Sequence, residues 1–192
     1  MQKLFLLISI SIFSAMLFTG CGDNSSPDGM DRNEIVPLTE TQVSNFIGVL
    51  PVILEFSEKY NASLSESEKS SPNANRKYFN ALKKSSKFNA ALKNSHFTSA
   101  GEVMQIYKNV VMEYTEIKRN LTNFSTDIAE LKKSIDKSRL DSQTELSTNS
   151  SLSADDRKQI TAALSNDEYR FNNILLVKKY ELSIDQIVRA YQ

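Results

Sequence analysis

Cysteine occurs once in this chain, histidine once, and tryptophan not at all. A single cysteine excludes an internal disulfide framework. With His96 alone and no cysteine pair, no His-x-x-x-His or Glu-x-x-His motif exists, so zinc and di-iron centres of the usual type lack ligands. A haem would have only His96, a Tyr or a Met, and nothing marks such a site. Glycine is scarce too: beyond residue 37 only Gly48 and Gly101 remain, which excludes a glycine-rich phosphate loop. Proline is absent after Pro72, and residues 38–192 contain no Asn-Gly or Asp-Gly turn. Strand-and-turn proteins need more of all of these. The expectation is an all-α chain.

Catalytic signatures are missing as well. There is no Gly-x-Ser-x-Gly, and Ser134-Ile135-Asp136-Lys137 matches Ser-x-x-Lys without an accompanying Lys-Thr-Gly. The carboxylate pairs Asp155-Asp156 and Asp167-Glu168 fall at expected helix starts, where capping accounts for them. No enzyme, cofactor or metal is expected. Two carboxylates converging in a cleft, or a Ser-Lys pair, would be needed to revive catalysis.

What is present begins with an address. Met1-Gln2-Lys3 carries one positive charge, Leu4 to Phe18 is apolar apart from three serines, and Thr19-Gly20 are small. That is the three-part layout of a secretory signal. Fifteen residues span about 22 Å as a helix, too short for the roughly 20 residues of a membrane-spanning helix. Leu17-Phe18-Thr19-Gly20-Cys21 resembles the lipobox of bacterial lipoproteins, departing from the usual pattern in having Phe18 three places before the cysteine. The resemblance implies cleavage before Cys21, acylation of its thiol and amino group, and attachment to a membrane of the bacterial cell envelope. Gly22 rather than Asp after the cysteine implies the outer membrane under the sorting rules of that class. Lipidation also removes the anomaly of an unpaired thiol in an exported protein. Three Asn-x-Ser/Thr matches, at Asn61, Asn120 and Asn123, are expected by chance in a chain rich in Asn and Ser.

Cys21 to Pro37 then reads as a flexible tether, with a reach of roughly 20–24 Å. Residues 38–192 read as one helical domain. Thr39 with Gln42 and Ser99 with Glu102 form capping boxes. The first helix is apolar nearly all round and so belongs at the centre of a bundle, with a kink expected at Pro51. Residues 61–75 read as a polar loop. A second helical region, about 76–93, has a polar middle at Lys83 to Lys87 that is a candidate break. The clearest pattern runs Val103, Tyr107, Val110, Tyr114, Ile117, Leu121, Phe124, Ile128, Leu131 and Ile135, spaced alternately four and three. It predicts one long heptad-patterned helix. A short helix from Ser153 and a last helix bearing Val177, Tyr180, Ile184, Ile187 and Tyr191 complete an antiparallel bundle of four or five helices. Asn94-Ser95-His96-Phe97-Thr98-Ser99 and Asn173-Ile174-Leu175-Leu176-Val177-Lys178-Lys179-Tyr180 resemble small all-helical exported proteins of Gram-negative bacteria that have no assigned function.

Charge is uneven. Residues 21–68 hold two basic and nine acidic side chains, and residues 69–101 hold seven basic and none acidic. Pairing between the two segments is one outcome. The other is a contact surface for an anionic lipid or an envelope protein, at Lys83, Lys84 and Lys87. The mature chain is close to neutral, with 22 basic and 23 acidic residues, and a nucleic-acid partner is not expected. The functional expectation is a lipid-anchored, non-enzymatic binding or scaffolding module. The alternative is a carrier of a small apolar ligand in a long cavity lined by Phe and Tyr.

Overall fold

The computed structural model describes residues 35–71 and 73–191. The expected signal peptide, Cys21 and the tether up to residue 34 lie outside the described residues. Among the described residues the chain is helical throughout, as expected: α1 (Glu40–Ala62), α2 (Glu66–Lys69), α3 (Ala74–Lys84), α4 (Ser86–Asn94), α5 (Ala100–Arg119), α6 (Phe124–Thr148), α7 (Ala154–Lys179) and α8 (Glu181–Ala190).

The apolar circumference of α1 places it at the centre. It packs against α3, α4, α5, α7 and α8, burying Val43, Phe46, Val49, Leu50 and Ile53. Thr39 and Gln42 make the expected capping box, with Gln42 N donating to Thr39 Oγ1 at 3.2 Å and Thr39 N to Gln42 Oε1 at 2.9 Å. The helix continues through Pro51. Phe56, Tyr60 and Tyr78 cluster with ring centroids 5.5–5.9 Å apart, tying α1 to α3. Buried Ser57 is satisfied by Tyr78, oxygen to oxygen 2.6 Å.

Several boundaries differ from expectation. The loop at 61–75 holds the one-turn α2, started by a capping box of Ser65 and Glu68. The second region, by contrast, breaks in two where its polar middle marked a candidate break, at Ser85, whose hydroxyl accepts from Phe88 N to start α4. At the start of α5, Ser99 accepts from Glu102 N, but Glu102 reaches back to Thr98 N rather than to Ser99.

The long heptad helix is two helices. Val103, Tyr107, Val110, Tyr114, Ile117 and Leu121 are all buried, but α5 stops at Arg119 and α6 starts at Phe124. Asn120, Thr122 and Asn123 are poor helix formers, and Asn123 N donates instead to Asp127 Oδ2 at 2.8 Å. The turn sends α6 back along α7. Lys178 stacks on Phe124, Lys132 on Phe171, Arg139 pairs with Glu168, and Arg157 donates to Leu146 O. Residue numbers rising on one helix and falling on the other define an antiparallel pair. Phe124, Ile128 and Leu131 are only half-buried there, and α6 contributes no fully buried residue.

The helix starting at Ser153 is also not short. Capped by Ser153 and Asp156, it runs 26 residues to Lys179 and ends at Tyr180. Asp167 and Glu168 are therefore in its middle, not at a helix start.

Candidate functional site

The lysines form no common helical face. Lys83 and Lys84 end α3, whereas Lys87 lies in the first turn of α4, beyond the break at Ser85. Lys83 sits 4.4 Å over the Phe79 ring. Lys87 pairs with Glu55 of α1, which also accepts from Lys59 at 2.8 Å. Hydrogen bonds from Lys59 and then Lys87 hold the Glu55 carboxyl down at about 2. Thus part of the basic segment does neutralise the acidic first helix; Lys84 and Lys87 are both exposed, and Lys83 is half-buried.

Two asparagines fix the start of the domain. Asn109 of α5 and Asn173 of α7 are both fully buried. Asn173 Nδ2 donates to Val36 O and its Oδ1 accepts from Leu38 N, both at 2.8 Å. Asn109 Oδ1 accepts from Val36 N at 3.3 Å, and its Nδ2 donates to Gln105 O at 2.9 Å. Val36 and Pro37, which sequence composition assigned to the tether, thus run directly into a clamp between α5 and α7. At the far end of α5, Tyr114 donates to Asp185 Oδ1 at 2.5 Å, and Lys118 donates to Glu181 and Asp185 at 2.5 and 2.9 Å. Burial, followed by the bond to Asp185, pushes the Tyr114 hydroxyl well up. Burial works against ionised Glu181, but its bonds from Lys118 and Lys178 outweigh that and lower it. This network ties α8 to α5.

Along the C-terminal half of α5 lies a cleft of about 340 Å³, lined by Val111, Met112, Glu113, Thr115, Glu116, Arg119, Asn120 and Arg170. Glu113 is fully buried. Neither carboxylate oxygen has a hydrogen-bond partner, and neither does the buried hydroxyl of Thr115. Arg170 of α7 brings Nε to 3.8 Å from Glu113 Oε2 and Nη2 to 3.2 Å from Glu116 Oε2. The first distance is too long for a hydrogen bond. Asn120 Nδ2 donates to Glu116 Oε2 at 2.8 Å. Burial dominates at Glu113, against the opposing pull of Arg170, and raises its carboxyl to about 7.

Two carboxylates therefore share a cleft, which sequence reasoning had not located. They share one guanidinium instead of facing each other across a gap, an arrangement suited to holding a charged group. The cleft lining contains no Phe or Tyr. A weak signal for Glu113 existed: it stands seven residues after buried Ile106, at the same heptad position. No group of three or more His, Cys, Asp or Glu side chains among the described residues is placed to hold a metal ion, and no described helix is long and apolar enough to cross a membrane. No protein-family model, curated protein or solved structure matches the chain.

Proposed function

We propose that this chain is a bacterial lipoprotein, attached to the outer membrane through acylated Cys21, whose helical body is a non-enzymatic binding module. The observation that carries the binding role is Glu113, an ionisable side chain fully buried beside a cleft with no hydrogen bond to either oxygen. Folded chains rarely leave such a group unsatisfied without a functional reason. Perturbed ionisable groups in clefts mark functional sites. The anchor rests on the signal-like residues 1–20 and on Leu17-Phe18-Thr19-Gly20-Cys21. The carrier alternative draws no support from the cleft, which is lined mainly by polar side chains.

Each half has its own test. A panel of small polar metabolites is titrated into isotopically labelled protein. The binding role requires amide shifts that cluster at Met112, Thr115, Glu116 and Arg170; a panel without such shifts removes it. For the anchor, wild type takes up labelled fatty acid and partitions into detergent, whereas Cys21→Ser accumulates as an uncut precursor. Equal labelling of both would sink the anchor. Lys84, with Lys83 and Lys87 beside it, is the secondary contact to anionic head groups. It predicts salt-sensitive binding to anionic but not neutral vesicles.

A further inference from the structure

The unpartnered atoms in the cleft specify a kind of ligand. Ionised Glu113 offers two acceptors that no hydrogen bond within the protein uses. Glu116 adds a second negative charge, and its helical spacing puts it one turn along the same side of α5 as Glu113. The group already drawn toward both glutamates is a guanidinium, that of Arg170, and it stops short of hydrogen-bonding Glu113. Arg170 keeps 39% of its side chain exposed, so it can swing to solvent without breaking the core. An anion entering here would meet two carboxylates at close range. Its attractions would be Arg119, which also lines the cleft, and Arg170, which Glu116 already holds at 3.2 Å.

We propose that the cleft binds a small organic cation, an amine or guanidinium compound, with Glu113 as its buried counter-ion and Glu116 as a second negative charge. This rests on the cleft being a binding site and adds the chemistry of its ligand. A volume of about 340 Å³ lies near the low end of ligand pockets, roughly 300–1,000 Å³, so the ligand is a single small molecule. Val111 and Met112 supply apolar wall for its methylene chain. The charged groups acting on Glu113 are Arg170 from α7 and Glu116 from its own helix, and Arg119 completes the charged lining. A cation selects the ionised form of Glu113. Below a carboxyl pKa of about 7, binding must release a proton, so affinity falls about tenfold per pH unit.

The test is calorimetric titration of the detergent-solubilised protein with 1,4-diaminobutane and with agmatine. Succinate serves as the four-carbon anion. Titrations run at pH 8 and pH 6 in buffers of differing ionisation enthalpy. Both cations should bind at pH 8. At pH 6 they should bind about tenfold more weakly and release close to one proton each. Glu113→Gln should remove the pH dependence along with most of the affinity, and Arg170→Gln, which deletes the resident competitor, should tighten binding. Helical circular dichroism of both variants reports whether they fold, and the wild-type proton release stands without them. Cation binding that ignores both pH and Glu113→Gln overturns the proposal. Binding of succinate in place of the cations overturns it too, while leaving the cleft as a binding site. Silence from all three probes overturns the cation proposal, and the binding role falls with it only if the metabolite panel also produces no shifts at the cleft.

Discussion

Replacing Glu113 by Gln should stabilise the protein at alkaline pH and leave it unchanged at acid pH. The carboxyl is raised from its ordinary 4.5 to about 7 by burial. An acid raised in the folded state holds its proton there more tightly than in the unfolded chain. Its favourable contribution is therefore fully present below pH 4.5 and is lost as pH rises through about 7. Above that, folding must keep an ionised carboxylate out of water. At about 1.36 kcal/mol per pKa unit, the shift corresponds to roughly 3 kcal/mol at pH 8. That is a large share of the 5–15 kcal/mol that typically holds a domain together. Gln keeps the size and polarity of the neutral acid, so the cost of unpartnered polar atoms cancels between the two proteins. Urea unfolding of both from pH 4 to pH 8 measures the difference. The curves should coincide at pH 4, and the Gln variant should exceed wild type by about 3 kcal/mol at pH 8. With a denaturant slope of roughly 1–3 kcal/mol/M, its midpoint then moves up by about 1 M or more. A difference that stays constant across this range would refute the reasoning. It would mean that Glu113 is ionised at every pH and adequately served by Arg170.

Three other changes probe the frame around the cleft. Asn173→Ala strips the partners from Val36 O and Leu38 N; at about 1–3 kcal/mol per orphaned group it should cost at least about 2 kcal/mol in urea and expose the Leu38 amide to rapid hydrogen exchange, and continued protection of that amide would disprove the clamp. Ile117→Ala should cost about 2–5 kcal/mol as a core truncation, whereas Ile135→Ala on half-covered α6 should cost under about 1 kcal/mol; equal costs would restore a continuous buried seam. His96 has φ 59° between α4 and α5, a conformation that costs a side-chain-bearing residue about 1–2 kcal/mol, so His96→Gly should raise the melting temperature by about 2–8 °C, and a lower melting temperature would show that the imidazole makes a contact worth more than the strain.

The helical class and the central place of α1 were legible because both follow from composition and periodicity. Pro and Gly are nearly absent, and apolar residues cover the whole circumference of α1. The caps at Thr39 and Ser153 were legible for the same local reason, since each needs only a hydroxyl and a partner three residues on. The break at Leu121 was not. Apolar spacing records which residues face apolar surface, and it survives a turn that redirects the chain. Buried Leu121 lies in the turn after one helix and Phe124 begins the next, three residues apart as a helix would have them, yet the four residues from Asn120 to Asn123 redirect the chain along α7. The extent of α7 was hidden by the opposite effect. Its first two-thirds bury no residue, so it offers no stripe to read, and it is held by its pairing with α6.

The cleft was illegible because it depends on two side chains, Glu113 and Arg170, that are 57 positions apart. Its meaning emerges from comparison with a neighbour. Asn109 and Glu113 are four residues apart on α5, hence on one flank of that helix, and both are fully buried. Asn109 is answered by the protein on both its oxygen and its nitrogen, receiving Val36 N from the incoming chain and giving its amide to Gln105 O. One turn further along, the same flank meets α7 again, and there the fold supplies only a guanidinium held 3.8 Å away. Satisfying Glu113 internally required no unusual device, since the preceding turn shows one. A carboxylate buried beside a cleft without a hydrogen bond, next to a polar group bonded on both its atoms, is what distinguishes a place for a ligand from a fastening of the fold.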